Sequence, residues 1–408
     1  MADKLIVKNF GPIINAELDI KKTTVFIGLQ GSGKSTLAKL VAACNIPTNF
    51  LFQKKFWVDE GMKGELEKFS KEIFDAFNLS PFIENRSKFK YSTKDFFIKY
   101  ADNQLVFNVK EKTNKHSDVT SIDSKPNTGL LVGGLLLLSL FAYVLSKSNK
   151  NSDNKLKDES IDLSILSEGS IFIPTERSFI TTFSDSIYGM LSADSNIPKV
   201  VLNFGKHFEI ARKELKELSI EFLKIRYVHE NQENRVYLDK KKYISLKDTA
   251  SGFQSVIPLM LTVEYFSTTK DNQHFIIEEP ELNLYPTTQK ELVYYLVKSC
   301  TRGNNELLMT THSPYILAAL NNLIFAFKTA QKHPDKADEV AKIVPRESWL
   351  NPDDFAAYFV ADGTVRAIIN PKTGMIAENE LDGVSEDFKI EFDELVEIYR
   401  LPVHETVY

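Results

Sequence analysis

Between a short strand-forming run, Thr24-Val25-Phe26-Ile27, and an apolar helical run through Leu37, Leu40 and Val41, the chain reads Gly28-Leu29-Gln30-Gly31-Ser32-Gly33-Lys34-Ser35-Thr36. Strand, glycine-rich turn and helix in that order make a phosphate-binding loop. Glycines let successive backbone N–H groups converge on one anion, and the helix that follows adds the positive end of its dipole. The expected ligand is ATP. Lys34 is placed to reach the β- and γ-phosphates and Ser35 to hold Mg²⁺. Gln30, Gly31, Ser32, Gly33 and Thr36 complete the cradle.

With 408 residues, 43% of them hydrophobic, the chain can bury a large core in one domain with an insertion, or in two or three smaller domains. Its net charge of −5 and pI near 5.9 give no global positive field for nucleic acid, and no dense Lys/Arg run marks a basic groove. The two cysteines, Cys44 and Cys300, fall in helical runs and read as small core residues of a reducing compartment. The opening Met1-Ala2-Asp3-Lys4 lacks the apolar segment of a secretion signal, so the expected location is the cytoplasm.

Along the chain, Leu5 to Phe10 and Ile13 to Ile20 read as strands around Gly11-Pro12, and Lys34 to Cys44 as a helix ending near Asn45 and Pro47. From residue 50 to 165 the pattern changes. Amphipathic stretches from Phe56 to Phe77 and from Thr93 to Tyr100 read as helices, a polar stretch follows, then an apolar run at 129–145 and a polar linker at 146–160. This block is expected to be a mainly helical insertion between two halves of one core, 1–49 and 166–330. The remaining 331–408 forms an α+β segment that completes the core or binds a partner. As a helix, 129–145 would rise about 25 Å, somewhat short of a bilayer's hydrocarbon thickness. Its Gly129 and Gly133 form a GxxxG pair suited to close packing. A single span there would put the phosphate loop and the later motifs on opposite sides of a membrane, so a buried or partner-packing helix is the preferred reading.

Three further motifs follow. His274 to Ile277 is a short apolar strand ending in Glu278-Glu279-Pro280-Glu281. Paired acids at a strand end can serve Mg²⁺ and the attacking water, which assigns Glu278 to the metal and Glu279 to the water. A helix begins at Pro286, and the next apolar strand, Leu307 to Thr311, leads into His312-Ser313-Pro314. Ser313 suits an N-cap and Pro314 a first helical position, so His312 sits at the strand-to-helix crevice of a parallel sheet and is assigned to γ-phosphate sensing. Ser251-Gly252-Phe253-Gln254 has the spacing of a capping box before the apolar run from Val256 to Phe266. A capped helix start beside a glycine is also an anion site, which adds Ser251, Gly252 and Gln254 to the nucleotide-binding set.

In this order the motifs resemble those of ABC-type ATPase heads of the AAA family, in the group that includes SMC proteins and OLD-like defence ATPases. Glu278-Glu279-Pro280-Glu281 followed by Asn283-Leu284-Tyr285-Pro286 is similar to stand-alone prokaryotic defence ATPases more than to transporter ATPases. The resemblance implies an α/β head with a mixed or parallel central sheet. It also implies ATP hydrolysis, and two heads pairing face to face with ATP between them. Ser251 and Gly252 of one subunit would then meet the γ-phosphate held by Lys34 of the other, with Asn283 to Tyr285 at the seam. Gln53 is the candidate for the glutamine that links such sites to partner domains. Ile173-Pro174-Thr175-Glu176-Arg177 resembles a Pro-x-x-Arg element of the same subgroup, although a strand followed by a salt-bridged turn accounts for it equally.

Two departures narrow the expectation. No sustained heptad repeat separates Lys34 from Ser251, as SMC arms would require. After Leu323 no glutamate and Asp-x-Asp set suggests a TOPRIM nuclease. The expected function is a dimeric ATP switch in a prokaryotic anti-phage or toxin-like system, acting on a separate nuclease or toxin effector. A DNA-clamping ATPase and the energy module of a membrane complex are the alternatives.

Overall fold

The computed structural model describes residues 2–54, 73–94, 96–102, 104–109, 170–183, 197–239, 242–377 and 380–400. The apolar run at 129–145, the linker at 146–160 and most of Phe56–Phe77 lie outside the described residues. Strand β1 (Asp3–Phe10) turns through Gly11 into β2 (Ile13–Ile20), and the buried β3 (Thr23–Ile27) delivers the phosphate loop to helix α1 (Lys34–Lys54). Strands β4 (Lys88–Ser92), β5 (Phe96–Ala101), β6 (Gln104–Val109) and β7 (Ser170–Ile173) follow, then helices α2 (Arg177–Phe183) and α3 (Lys199–Leu215). A small antiparallel sheet comes next, from β8 (Glu217–Ile220), β9 (Ile225–Glu230), β10 (Glu233–Tyr237) and β11 (Tyr243–Ser245). Helix α4 (Ser251–Thr269), strand β12 (His274–Glu278), helix α5 (Pro286–Cys300), strand β13 (Glu306–Thr311) and helix α6 (Pro314–Lys332) then alternate. The described chain closes with α7 (Ala337–Ile343), β14 (Phe355–Ala361), β15 (Thr364–Ala367) and α8 (Glu380–Tyr399).

Eleven strands share one mixed sheet in the order β6-β5-β4-β1-β2-β15-β14-β3-β13-β12-β7. From β14 to β7 every pairing is parallel, whereas β1, β2, β4, β5 and β6 form an antiparallel wing. The parallel strands are continuous apolar runs such as Phe275-Ile276-Ile277, buried on both faces because helices cover the sheet. Helix α1 lies against β12, β13 and β7, which places the phosphate loop at the centre of the parallel half.

Several local expectations change. The described residues of 93–100 are not helical: β5 occupies Phe96–Ala101 and, with β4 and β6, extends the sheet from the free edge of β1. Ile98 and Tyr100 are buried while Lys99 is exposed, a period-two pattern that a short window of aromatic and lysine residues disguised as amphipathic helix. Thus the described part of 50–165 contributes strands to the core sheet. Helix α1 continues past Asn45 and Pro47 to Lys54, since an internal proline removes one backbone hydrogen bond but does not by itself end a helix. In the C-terminal segment, β14 pairs with β3 itself, so the strand carrying the phosphate loop has β13 on one side and β14 on the other. None of the described helices is long and apolar enough to cross a membrane.

Candidate active site

Parallel register brings three loops to one edge. Ile27 pairs with Thr311, and Glu278 with Thr310, so the phosphate loop after β3, the acids after β12 and His312 after β13 all leave the carboxyl ends of adjacent strands. That is where open α/β sheets bind ligands. The loop passes close over its neighbour. A Cβ on Gly28 would lie 2.2 Å from the carbonyl oxygen of Val360 in β14, and the backbone there has φ +154°, so glycine is required at that position. Gly31 also has positive φ and faces open space, whereas the Ser32 hydroxyl is buried with no hydrogen-bond partner among the described residues. An anion on the loop would satisfy it.

Lys34, at the first turn of α1, donates from Nζ to the carbonyls of Gly28 and Leu29, each at 2.8 Å. Burial holds its ammonium below the ordinary lysine range, against the pull of Glu279, Glu281 and Glu278. The ammonium is therefore held on backbone carbonyls within the field of three carboxylates and can be redirected onto phosphate oxygens. Beside it, the exposed Ser35 hydroxyl hydrogen-bonds the Glu278 carboxylate. Burial pushes Glu278 upward from the usual carboxylate range, while Lys39 and that hydroxyl draw it back, and its Oε1 is buried without a partner. A buried, half-satisfied carboxylate touching a hydroxyl suits a shared cation, so Ser35 and Glu278 fit Mg²⁺.

At Glu279 the chain leaves the strand with φ +43°, its backbone N–H donating to the Thr310 carbonyl at 2.9 Å. Its Oε1 lies 3.4 Å from His312 Nδ1. Glu281 holds the other side of the histidine loop. Its Oε1 accepts from the Thr311 hydroxyl at 2.6 Å and the His312 backbone N–H at 3.0 Å, and stands 3.6 Å from His312 Nδ1. These bonds fix the loop through Glu281 and the backbone, and they leave the half-exposed imidazole beside Glu279 with a face open to ligand. His312→Ala is therefore expected to bind ATP within about threefold of the parent and to turn over about tenfold or more slowly. Nucleotide titration and steady-state hydrolysis measured side by side check this, and equal loss in both would remove the sensing role.

Ser313 accepts from the Tyr315 N–H at 3.2 Å, as an N-cap should, and donates from its hydroxyl to Gln289 Oε1 at 2.6 Å. Gln289 in turn donates to the Leu284 carbonyl at 2.9 Å, tying the histidine loop to the segment after the acids. Sequence reasoning missed both Glu281 and Gln289 as organisers of the site. Glu281 was visible inside the acidic run, but nothing in its spacing separated a carboxylate that binds a loop from one that faces solvent.

The capping-box expectation is corrected. Ala250, not Ser251, is the N-cap of α4, and no side chain caps it. Gln254 instead donates from Nε2 to the carbonyls of Lys247 at 2.9 Å and Thr249 at 2.8 Å, pinning the turn that leads into the helix. The side chain therefore points back to the turn before the helix and caps no N–H at its start. Ser251 is left exposed at the head of α4. Gly252 lies against the loop after the acids, where a Cβ would come 2.8 Å from the Asn283 carbonyl oxygen. The structure thus joins Ser251, Gly252 and Asn283 on one surface and Lys34, Ser35, Glu278, Glu279 and His312 in one site. Gln53 falls in α1, with its side chain outside the described residues.

A phosphate loop whose lysine sits among paired strand-end acids, with a histidine from the next strand, defines a P-loop ATPase. The AAA ATPase domain family matches residues 49–317, more than half of the chain, and the chain belongs to that family. The match takes in Ser251, Glu279 and His312 and begins after the phosphate loop, whose assignment rests on its own sequence and geometry. The protein is accordingly an ATPase. Among solved structures, it is similar to an SMC head bound to the C-winged helix domain of ScpA, at 11% identity and TM-score 0.40 over 90% of this chain and 96% of that one. It is similar also to the SMC head domain from Thermotoga maritima, at 12% identity and TM-score 0.36 over 90% and 98%. A third is the Smc head with an extended coiled coil bound to the C-terminal domain of ScpA from Pyrococcus furiosus, at 11% identity and TM-score 0.37 over 90% and 95%. No curated protein matches the chain.

Proposed function

We propose that this ATPase is a dimeric switch in which two heads close on Mg²⁺-ATP and transmit the nucleotide state to a separate effector. Lys34 and the loop amides bind the phosphates, Ser35 and Glu278 hold the metal, Glu279 activates water, and His312 reads the γ-phosphate. The observation that carries the dimer is the arrangement of surface groups around the site. Ser251 heads α4 exposed, and Leu29 of the phosphate loop and Tyr285 after the acids are 60% and 74% exposed. Apolar side chains standing on the loops that hold a polyanion favour coverage by a second copy. The role in an anti-phage or toxin-like system rests on the resemblance of the acidic motif and its Asn283-Leu284-Tyr285-Pro286 continuation to stand-alone defence ATPases.

Complementation tests the reading. Lys34→Ala and Ser251→Arg subunits are each expected to be inactive alone, whereas mixing them rebuilds one composite site in each mixed dimer. Random assortment would restore about a quarter of parental turnover. Co-expression in phage-challenged cells should restore protection that neither variant gives singly. A mixture as inactive as its components, with both chains folded, would rule out a site shared between subunits.

A further inference from the structure

Arg177 is the element of the sequence that the ATPase machinery leaves unexplained, and it is fully buried at the start of α2. The parallel ladder between β7 and β12 ends at the pair Ile173 and Ile277. The residue that follows β7 is Pro174, which has no N–H to continue the ladder. The guanidinium takes over at that point. Nη1 donates to the carbonyls of Pro174 at 3.1 Å and Glu278 at 2.7 Å, and Nη2 donates to the carbonyl of Glu279 at 2.6 Å. A planar fork with fixed donor directions thus grips the backbone of both acids at the residue where the strand turns into left-handed geometry. Such a conformation costs a non-glycine residue free energy and persists only where its surroundings hold it.

We infer that Arg177 is a positioning residue for ATP hydrolysis, which holds the backbone of Glu278 and Glu279 so that the Glu279 carboxylate is aimed at the attacking water. Its charge also faces the three acids. Burial lowers its pKa to about 10, against the raising effect of Glu281, Glu278 and Glu279, so it stays cationic at neutral pH beneath the carboxylates. Lysine keeps a charge but cannot make the bidentate grip.

The inference rests on Glu279 as the water-activating group, and its test separates the two. Arg177→Lys is expected to retain ATP affinity within about threefold and the parental thermal melt, while kcat falls about a hundredfold, the usual effect of misplacing a catalytic group by roughly 1 Å. Arg177→Gln, which keeps a donor and loses the charge, should fall at least as far. In a Glu279→Gln background, adding Arg177→Lys should lower the residual rate by less than about threefold, because the group it aims is already gone. Parental kcat in Arg177→Lys overturns the inference. So does a matching loss of ATP affinity, an undiminished hundredfold effect in the Glu279→Gln background, or failure of both variants to fold, which would make the guanidinium a support of the whole domain. If Glu279→Gln alone hydrolyses ATP as the parent does, the assignment of Glu279 fails first.

Discussion

Lys34→Ala protein is expected to lose ATP binding, with Kd weakened about a hundredfold or more. The ammonium is the one side-chain cation that the loop itself supplies, and each charge-assisted hydrogen bond to a phosphate oxygen contributes about 1.5–3 kcal/mol. Removing two such bonds, offset by the bonds to Gly28 and Leu29 that the free protein gives up on binding, leaves a deficit of about 3 kcal/mol, or roughly two orders of magnitude. Isothermal titration with a slowly hydrolysed ATP analogue measures it directly. The fold should survive: removing Lys34 also relieves the cost of holding an ammonium away from water. An alanine variant that binds the analogue within threefold of the parent would mean that the triphosphate does not lie on this loop.

The second large effect falls on turnover. Glu279→Gln keeps the volume and the backbone of the turn but removes the carboxylate that can take a proton from water, so kcat is expected to fall about a hundred- to ten-thousandfold. Affinity for ATP should hold or rise, since glutamine at this position subtracts a negative charge from a pocket already containing Glu278 and Glu281. If two heads close on ATP, this variant should also accumulate as an ATP-dependent dimer, read by light scattering with and without nucleotide. Unchanged turnover would exclude Glu279 as the base. A drop in kcat with no nucleotide-dependent change in mass would separate hydrolysis from dimerisation and argue against the switch.

These two variants act on residues that the sequence exposes plainly, and their neighbours show where it does not. The phosphate loop was legible because its chemistry is local: glycines, a lysine and a hydroxyl must follow a strand and open a helix within nine positions, and β3 and α1 do so. Glu278, Glu279 and His312 were legible for a related reason, since each lies at the end of a short apolar run. Ser313 kept its capping role, because an N-cap needs only a helix start and a side-chain oxygen. Ser251 and Gln254 had the same apparent signal and did not form the box, since the Gln254 amide found the carbonyls of Lys247 and Thr249 instead. Residues 93–100 carried a pattern too short to separate two periods, and the free edge of β1 decided for strand.

What the sequence determined by itself was therefore the set of groups gathered around the phosphate loop at the strand ends, because each is dictated by neighbours a few positions away along the chain. What only the tertiary structure decided was how those groups are held: Arg177 reaching across 101 and 102 positions to the carbonyls of Glu278 and Glu279, Glu281 fastening Thr311 and His312, and β14 closing over Gly28. Such interactions join segments far apart in the chain, and a buried arginine or glutamate has the same letter as a solvated one. Its partners are selected by the need to satisfy every polar group removed from water, which arises only once the strands are side by side.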